Sequence, residues 1–266
     1  MIDAPRWALV TGACSGIGLE LARGLAARGH PLVVTSNRCG RIEEVAEQIA
    51  AEYGVATQAI AMDLARPEAA GLLHEEVQRR GLQIEILISN AGMFFFGEVA
   101  ETEPAKADAM LQLHVVTPSL LALYFGRDMR ERRSGHILFV SSASSSGDFP
   151  GIAFYGSSKK YLRGFASALR EELRPWGVNV TCLAPGAVAT DLYDRSTRVV
   201  QVATRFGMLR DPEAVARIAL SGMFRRKGLI LPGPGAKLMA MGSALVPRWL
   251  VRLARTHTHY LPAPRD

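Results

Sequence analysis

Short apolar runs alternate with segments of helical periodicity along most of the chain. Seven runs predict buried strands, at 7–11, 32–36, 56–62, 84–89, 136–141, 178–183 and 228–231. Between them, apolar residues recur at helical spacing in the segments 17–28, 41–53, 67–80, 104–132 and 152–174, and in one that begins at Asp211. Strands that alternate with helices in this way predict an α/β fold, a doubly wound parallel sheet of seven strands with helices on both faces.

Length and composition favour one soluble domain spanning 1–266. A chain of 266 residues with 48% hydrophobic residues can bury the core of a single α/β domain. The chain contains no uninterrupted apolar run of the ~18 residues that a membrane span needs, and its first residues lack the apolar core of a signal peptide. Cys14, Cys39 and Cys182 are scattered without metal-ligand spacing. We therefore expect a cytoplasmic protein with neither disulfides nor a metal site.

Positive charge is concentrated in the last quarter of the chain. The net charge is +6, but residues 195–266 hold 13 Lys and Arg against 3 Asp and Glu, so the first 194 residues carry −4. The segment 232–266 is a basic amphipathic extension. It could cap a substrate pocket, lie on a membrane surface without spanning it, bind an acidic partner such as a carrier-bound acyl substrate, or cover core with a solvated basic face. Because no recognition motif accompanies the charge, we expect no nucleic-acid partner.

A glycine-rich turn follows the first strand directly. The sequence TGACSGIG places Gly12, Gly16 and Gly18 where the chain turns into the first predicted helix. Glycine lets the backbone approach a ligand closely, and a helix N-terminus offers free N–H groups and the positive end of its dipole. The spacing is not the G-x-G-x-x-G of the dinucleotide fingerprint. Its place between the first strand and first helix of an alternating pattern nevertheless predicts a pyrophosphate site.

The end of the second strand bears on the choice of cofactor. It reads Ser36-Asn37-Arg38, without the carboxylate that would bind the adenosine ribose and reject a 2′-phosphate. Arg38 offers a cationic partner for such a phosphate, which favours NADP(H) over NAD(H); a solvated loop arginine is the alternative.

The next two strand ends add further candidates. Asp63 follows the third strand, in position to reach the adenine, and Asn90-Ala91-Gly92 after the fourth predicts a small turn beneath the cofactor. Phe94, Phe95 and Phe96 come next, either as core residues or as the wall of an apolar pocket.

Tyr155 and Lys159 lie four residues apart in the segment 152–174, so a helix places them on one face. An ammonium beside a phenol favours the phenolate and lowers the tyrosine pKa toward neutral pH, which makes Tyr155 a usable proton donor or acceptor. Ser142 follows the fifth strand, where its hydroxyl could face the same space.

Together these motifs resemble the short-chain dehydrogenase/reductase family of NAD(P)-dependent oxidoreductases. The matching residues are TGACSGIG at 11–18, NAG at 90–92, Ser142, YGSSK at 155–159 and PGAVAT at 185–190. The resemblance covers positions 1 to about 194 and implies a Rossmann-type fold. It implies transfer of a hydride between NADP(H) and a carbonyl or alcohol of an apolar substrate. The alternative is a non-catalytic NAD(P)-binding sensor or scaffold, which has no need of Ser142, Tyr155 and Lys159 together.

The resemblance also implies a role for each site residue. Tyr155 would be the proton donor in reduction, Lys159 would lower its pKa and hold the nicotinamide ribose, and Ser142 would stabilise the substrate oxygen. The segment 191–210 would close over the substrate. The implied cofactor contacts come from Gly12, Ser15, Gly16, Ile17, Gly18, Ser36, Arg38, Asp63, Asn90, Ala91, Gly92, Tyr155, Lys159, Pro185, Gly186, Val188 and Thr190.

One position departs from the family pattern, because His114 stands where the family has a catalytic asparagine. That asparagine is thought to hold, partly through its backbone carbonyl, a water that links the lysine to solvent. A histidine keeps this carbonyl and could add its ring to the relay. A lone histidine on an apolar helix is otherwise a structural, hydrogen-bonded residue, and the sequence leaves both interpretations open.

The last expectation concerns assembly. Leu162, Phe165, Ala166, Leu169 and Leu173 form an apolar stripe wider than one sheet contact requires. We therefore expect a homodimer through the helices at 104–132 and 152–174, the pair that the family uses across a two-fold axis.

Overall fold

A computed structural model describes residues 6–188 and 210–233 and confirms the predicted α/β fold. Seven strands form one sheet in which every neighbouring pair is parallel, in the order β3-β2-β1-β4-β5-β6-β7. Their bounds are β1 Trp7–Thr11, β2 Leu32–Ser36, β3 Thr57–Ala61, β4 Ile84–Ser89, β5 Gly135–Val140, β6 Val178–Leu183 and β7 Leu229–Ile230. The order reverses between β1 and β4, and ligands bind beside the carboxyl ends of strands at such a switch point.

Helices cover both faces of the sheet. Their bounds are α1 Gly16–Ala26, α2 Arg41–Tyr53, α3 Ala69–Arg79, α4 Pro104–Leu111, α5 Thr117–Arg132, α6 Ala153–Leu173 and α7 Pro212–Phe224. Alternate residues of β1 point to opposite faces, so Ala8 and Val10 pack with α1, α2 and α7, whereas Trp7 and Leu9 pack with α3, α5 and α6. Two apolar layers therefore hold the carboxyl ends of the central strands in fixed positions.

The structure corrects several predicted boundaries. The segment predicted as one helix at 104–132 contains a π-helical turn, Gln112–Val116, between α4 and α5. The strand predicted at 56–62 is shorter at both ends, and the last strand is the two-residue β7. The helix predicted from residue 67 begins at Ala69, because residues 66–69 form a turn that a hydrogen bond from the Ala69 N–H to the Arg66 carbonyl closes at 3.2 Å.

Pro104–Arg132 is long and apolar enough to cross a membrane by length and composition alone. Half of its most apolar stretch is buried inside the fold, where Leu121, Phe125 and Met129 pack against the sheet. Packing within the fold accounts for the buried half of this stretch. Three predicted features lie outside the described residues. They are Thr190, the part of the substrate segment 191–210 that precedes Arg210, and the C-terminal extension beyond Gly233.

Candidate active site

A cleft of about 490 Å³ opens along the carboxyl ends of the central strands. Every catalytic and cofactor residue predicted above that falls within the described ranges lines this cleft, whereas Phe94, Phe95 and Phe96 are not among its lining residues. Beside it, the backbone N–H of Arg210 donates to the carbonyl of Ala187 at 3.0 Å and anchors the stretch that leads to Val188. Residues from eight separate stretches of sequence thus meet at one place.

The glycine-rich turn forms one wall of the cleft. Gly12 and Gly16 have φ of 67° and 57°, in the left-handed region that glycine adopts without a steric cost. A Cβ on Gly18 would lie 2.2 Å from the Gly12 carbonyl oxygen and 2.4 Å from Asn90 Nδ2, so no larger residue fits there. Ser15, at the N-cap of α1, makes no side-chain capping bond, and no acidic residue occupies the first turn. The residues present therefore fit the diphosphate of a dinucleotide.

Thr11 and Asn90 lock the first and fourth strand ends together. Thr11 Oγ1 donates to the Ile88 carbonyl at 3.2 Å and accepts from the backbone N–H groups of Asn90 and Ala91. Asn90 Nδ2 donates to the carbonyls of Thr11 at 2.9 Å and Gly12 at 3.2 Å. Sequence reasoning missed the role of Thr11; its position as the last residue of β1 was the available signal.

The far end of the cleft holds the residues predicted for the adenosine side. Ser36 Oγ accepts from the backbone N–H of Arg38 at 3.3 Å, and Arg38 is exposed at the mouth of the cleft. Asp63 also lines the cleft at the end of β3. Ser36 occupies the position at the end of β2 where a carboxylate would select NAD(H).

Tyr155 and Lys159 lie one turn apart on α6 and are 5% and 4% exposed. Lys159 Nζ donates to the Val140 carbonyl at 3.0 Å and lies 5.7 Å from the centre of the Tyr155 ring. Burial lowers the pKa of Lys159 from 10.5 to about 8, because the ammonium loses its water. The lysine therefore remains protonated near neutral pH and places a poorly screened positive charge beside the phenol.

Ser142 precedes a short 3₁₀ turn, Ala143–Ser146, at the end of β5. Its Oγ accepts from Ser144 N at 3.2 Å and from Ser144 Oγ at 2.9 Å. Since both bonds use the oxygen as an acceptor, the Ser142 proton remains available to donate to a substrate oxygen.

His114 lies in the π-helical turn and is fully buried. Its Nε2 bonds the backbone N–H of Met93 at 2.9 Å, and its Nδ1 lies 3.0 Å from Ser158 Oγ. Burial, reinforced by the positive charge of Lys159, lowers the pKa of His114 well below 6.5. The geometry favours the structural interpretation of this histidine over a ring that relays protons.

Phe94 forms part of the wall around Tyr155. The two rings meet edge to face, with centroids 4.9 Å apart, and Phe94 packs in the same way on Phe96 at 4.7 Å. Phe94, Phe95 and Phe96 are all at least partly exposed. This exposure argues against the core interpretation, and the contact between Phe94 and Tyr155 is what connects the three rings to the cleft, so the pocket wall stays a prediction.

The sequence pattern of the family described as short chain dehydrogenase matches residues 6–200, nearly three quarters of the chain. The chain belongs to the short-chain dehydrogenase family. This short-chain dehydrogenase is therefore an oxidoreductase, and the family resemblance drawn from its motifs is confirmed.

Two curated relatives and one solved structure illustrate the similarity. Dehydrogenase/reductase SDR family member 7B of Bos taurus is 29% identical over 259 residues, which are 92% of this chain and 79% of the relative. The very-long-chain 3-oxoacyl-CoA reductase of Phaeosphaeria nodorum is 32% identical over 188 residues, 69% of this chain, and the chain spans only 55% of its length. A short-chain dehydrogenase from Sphingobium yanoikuyae, solved in complex with NADPH, has a TM-score of 0.80 and is 27% identical, covering 98% of this chain and 100% of its own.

Proposed function

We propose that this short-chain dehydrogenase transfers a hydride between NADP(H) and a carbonyl or alcohol group of an apolar substrate. One observation carries the proposal: Ser142, Tyr155 and Lys159 line the same cleft as the glycine-rich turn. A proton donor and a diphosphate cradle are thereby brought into one space. The NADPH bound by the relative from Sphingobium yanoikuyae supports the choice of cofactor.

The cofactor would be held by residues along the whole cleft. The N-terminus of α1 and the turn at Gly12 would bind the diphosphate. Arg38 would pair with the 2′-phosphate, and Asp63 would face the adenine. Lys159 would hold the nicotinamide ribose.

When bound, the nicotinamide supplies the hydride or accepts it. In the reductive direction, the Tyr155 hydroxyl donates its proton to the substrate oxygen. The Lys159 ammonium stabilises the phenolate that remains, and its burial strengthens this interaction because little water screens the charge. Ser142 donates a hydrogen bond to the same oxygen as negative charge develops there. In the oxidative direction Tyr155 takes the proton instead.

An apolar substrate is supported by the residues next to Tyr155. Phe94 lies against the Tyr155 ring, and Met93 and Leu113 line the cleft. The curated relative named as a very-long-chain 3-oxoacyl-CoA reductase supports a carbonyl on a long alkyl chain as one form of this substrate. We propose such acyl thioesters beside simpler ketones and aldehydes.

The experiment measures NADPH oxidation by purified protein with a panel of ketones, aldehydes and 3-oxoacyl thioesters. Tyr155→Phe removes only the reactive hydroxyl and should lower kcat by about 10²- to 10⁴-fold while NADPH still binds. Tyr124→Phe is the matched control, because Tyr124 lies on α5 and is not among the residues that line the cleft. NADPH binding without turnover of any substrate would instead support the non-catalytic sensor. Full activity of Tyr155→Phe would refute the assignment of the proton donor.

We further propose a cytoplasmic homodimer. Val116, Leu123 and Tyr161 are 40%, 42% and 42% exposed, and they lie on the helical segments expected to form the dimer interface. Exposed apolar side chains on a helix face favour a partner surface of the same kind, since association removes them from water. The free thiols of Cys14, Cys39 and Cys182 are consistent with a reducing compartment.

A further inference from the structure

His114 connects two parts of the active site that are distant in sequence. Met93 lies in the loop after β4, and Ser158 lies in the first turns of α6. The imidazole sits between them, fully buried, in the π-helical turn before α5. Turns of this kind occur often at functional sites.

The hydrogen bonds fix the protonation of the ring. A backbone N–H can only donate, so the Met93 amide requires Nε2 of His114 to be an acceptor without a proton. A neutral imidazole then carries its proton on Nδ1 and donates it to Ser158 Oγ at 3.0 Å. The Ser158 hydroxyl in turn donates to the carbonyl of Tyr155 at 2.8 Å. The chain of donors ends on the backbone of Tyr155, away from its phenolic hydroxyl.

Contacts from His114, Ser158 and Phe94 converge on Tyr155. The His114 ring meets the Tyr155 ring at 5.7 Å between centroids, and Ser158 holds the Tyr155 backbone. Phe94, the residue after Met93, packs edge to face on the Tyr155 ring, with the two centroids 4.9 Å apart. The phenol is thus held by the loop, by its own helix and by the histidine between them.

We infer that His114 is a positioning residue that joins the loop after β4 to α6 and thereby orients the Tyr155 phenol, without passing protons itself. The inference rests on the proposed function, in which Tyr155 is the proton donor. The ionisable groups in contact with the ring or acting on it are Tyr155 and Lys159. The positive charge of Lys159 opposes a second positive charge on His114, so the ring stays neutral over the working pH range.

Three substitutions of His114 test the contributions of its two hydrogen bonds separately. In His114→Gln the longer amide reaches the place of Nε2 and can accept from Met93, whereas in His114→Asn the shorter amide reaches only the place of Nδ1. His114→Leu keeps the volume and removes both bonds. We expect His114→Gln and His114→Asn, which each keep one bond and break the connection between the loop and α6, to lower kcat by about 10-fold, and His114→Leu to lower it by about 100-fold, because small errors in position at the reacting group are costly.

The split between binding and turnover distinguishes positioning from general destabilisation. The Kd for NADPH and the KM should change by less than about 3-fold in the folded variants, because the cofactor contacts remain in place. His74→Leu is the control: His74 also bonds a side chain, Asp128 at 3.0 Å, but packs between α3 and α5 away from the cleft. It should lose stability and keep kcat.

Nitrogen-15 NMR of the ring tests the inference without any substrate. We expect His114, assigned by comparison with His114→Gln, to keep a proton on Nδ1 alone between about pH 5.5 and 8.5. A ring that titrates near its ordinary pKa, or full kcat in folded His114→Leu, would overturn the inference. If no substrate is ever turned over, the proposed function fails while the NMR still decides whether His114 joins the loop to α6. If His114→Leu does not fold, the wild-type spectrum and His114→Gln still decide.

Discussion

Replacing Lys159 with methionine should stabilise the protein in the absence of cofactor while abolishing turnover. The change keeps an unbranched side chain of similar length in a site that is 4% exposed and removes the charged, hydrogen-bonding ammonium. Burial lowers the pKa of Lys159 from 10.5 to about 8. A difference of one in pKa corresponds to about 1.36 kcal/mol. A pKa lowered by about 2.5 therefore means that the buried ammonium costs the folded protein about 3 kcal/mol of stability at pH 7.

Part of this gain is offset because the Val140 carbonyl loses its bond from Lys159 Nζ. A buried hydrogen bond contributes about 1 kcal/mol, so the net gain in the free energy of unfolding should be about 2 kcal/mol. For a protein of this size that raises Tm by about 4–8 °C. Urea denaturation of the cofactor-free protein at pH 7 measures it directly.

The difference in stability between Lys159→Met and the wild type should depend on pH. Below pH 8 the lysine is protonated in both the folded and the unfolded state, and its penalty is complete. Between pH 8 and 10.5 the folded lysine is already neutral while the unfolded one still binds a proton, so the stability of the wild type rises with pH. The advantage of Lys159→Met should therefore fall to less than half by about pH 9.5.

Lys160→Met is the control for this experiment. Lys160 is the next residue of α6, but its side chain is 53% exposed and pairs with Asp148 at the surface. Its substitution should change stability by less than about 0.5 kcal/mol at every pH. A Lys159→Met variant that is less stable than the wild type at pH 7, or a gain that does not change with pH, would refute the argument from burial.

Three further predictions concern the cofactor, the glycine turn and the assembly. Arg38→Ala should weaken NADPH binding by about 10-fold and leave NADH binding unchanged, as measured by fluorescence titration; equal losses would contradict the 2′-phosphate assignment. Gly18→Ala should destabilise the fold and abolish NADPH binding in thermal shift assays, because its Cβ would lie 2.2 Å from the Gly12 carbonyl oxygen. Gly71→Ala is the control, because its new Cβ meets nothing closer than 3.9 Å, and it should raise the free energy of unfolding by about 0.5–1 kcal/mol. Leu123→Arg should convert the dimer to a monomer in light scattering, and a wild-type monomer would contradict the proposed interface.

The fold could be predicted because its signals are local. Most strands are short apolar runs and the helices are periodic segments, and the regular alternation of the two along the chain predicts a parallel α/β sheet. The glycines of the first turn were also readable, since Gly12 and Gly16 do adopt left-handed backbone and Gly18 has no room for a side chain. The spacing of Tyr155 and Lys159 needed only the geometry of one helix.

The contacts that complete the site could not be predicted in this way, because they join residues far apart in the chain. Thr11 bonds Asn90 across 79 positions, and His114 bonds Met93 and Ser158 across 21 and 44. No local pattern encodes such pairs; they form only after the sheet has assembled and brought its strand ends together. The family resemblance supplied the residue expected at position 114 but not the partners of the histidine found there.

The helical segment that carries His114 shows how much of the structure periodicity alone predicts. Met110, His114, Thr117 and Leu121 follow one another at spacings of four, three and four, and all are buried. Periodicity alone therefore places the imidazole on the inner face. It gives no sign of the π-helical turn at Gln112–Val116, because spacings of three and four are also those of an ordinary α-helix. The direction of the side chain is thus a property of the sequence, whereas its hydrogen bonds depend on the loop and helix that the rest of the chain brings to it.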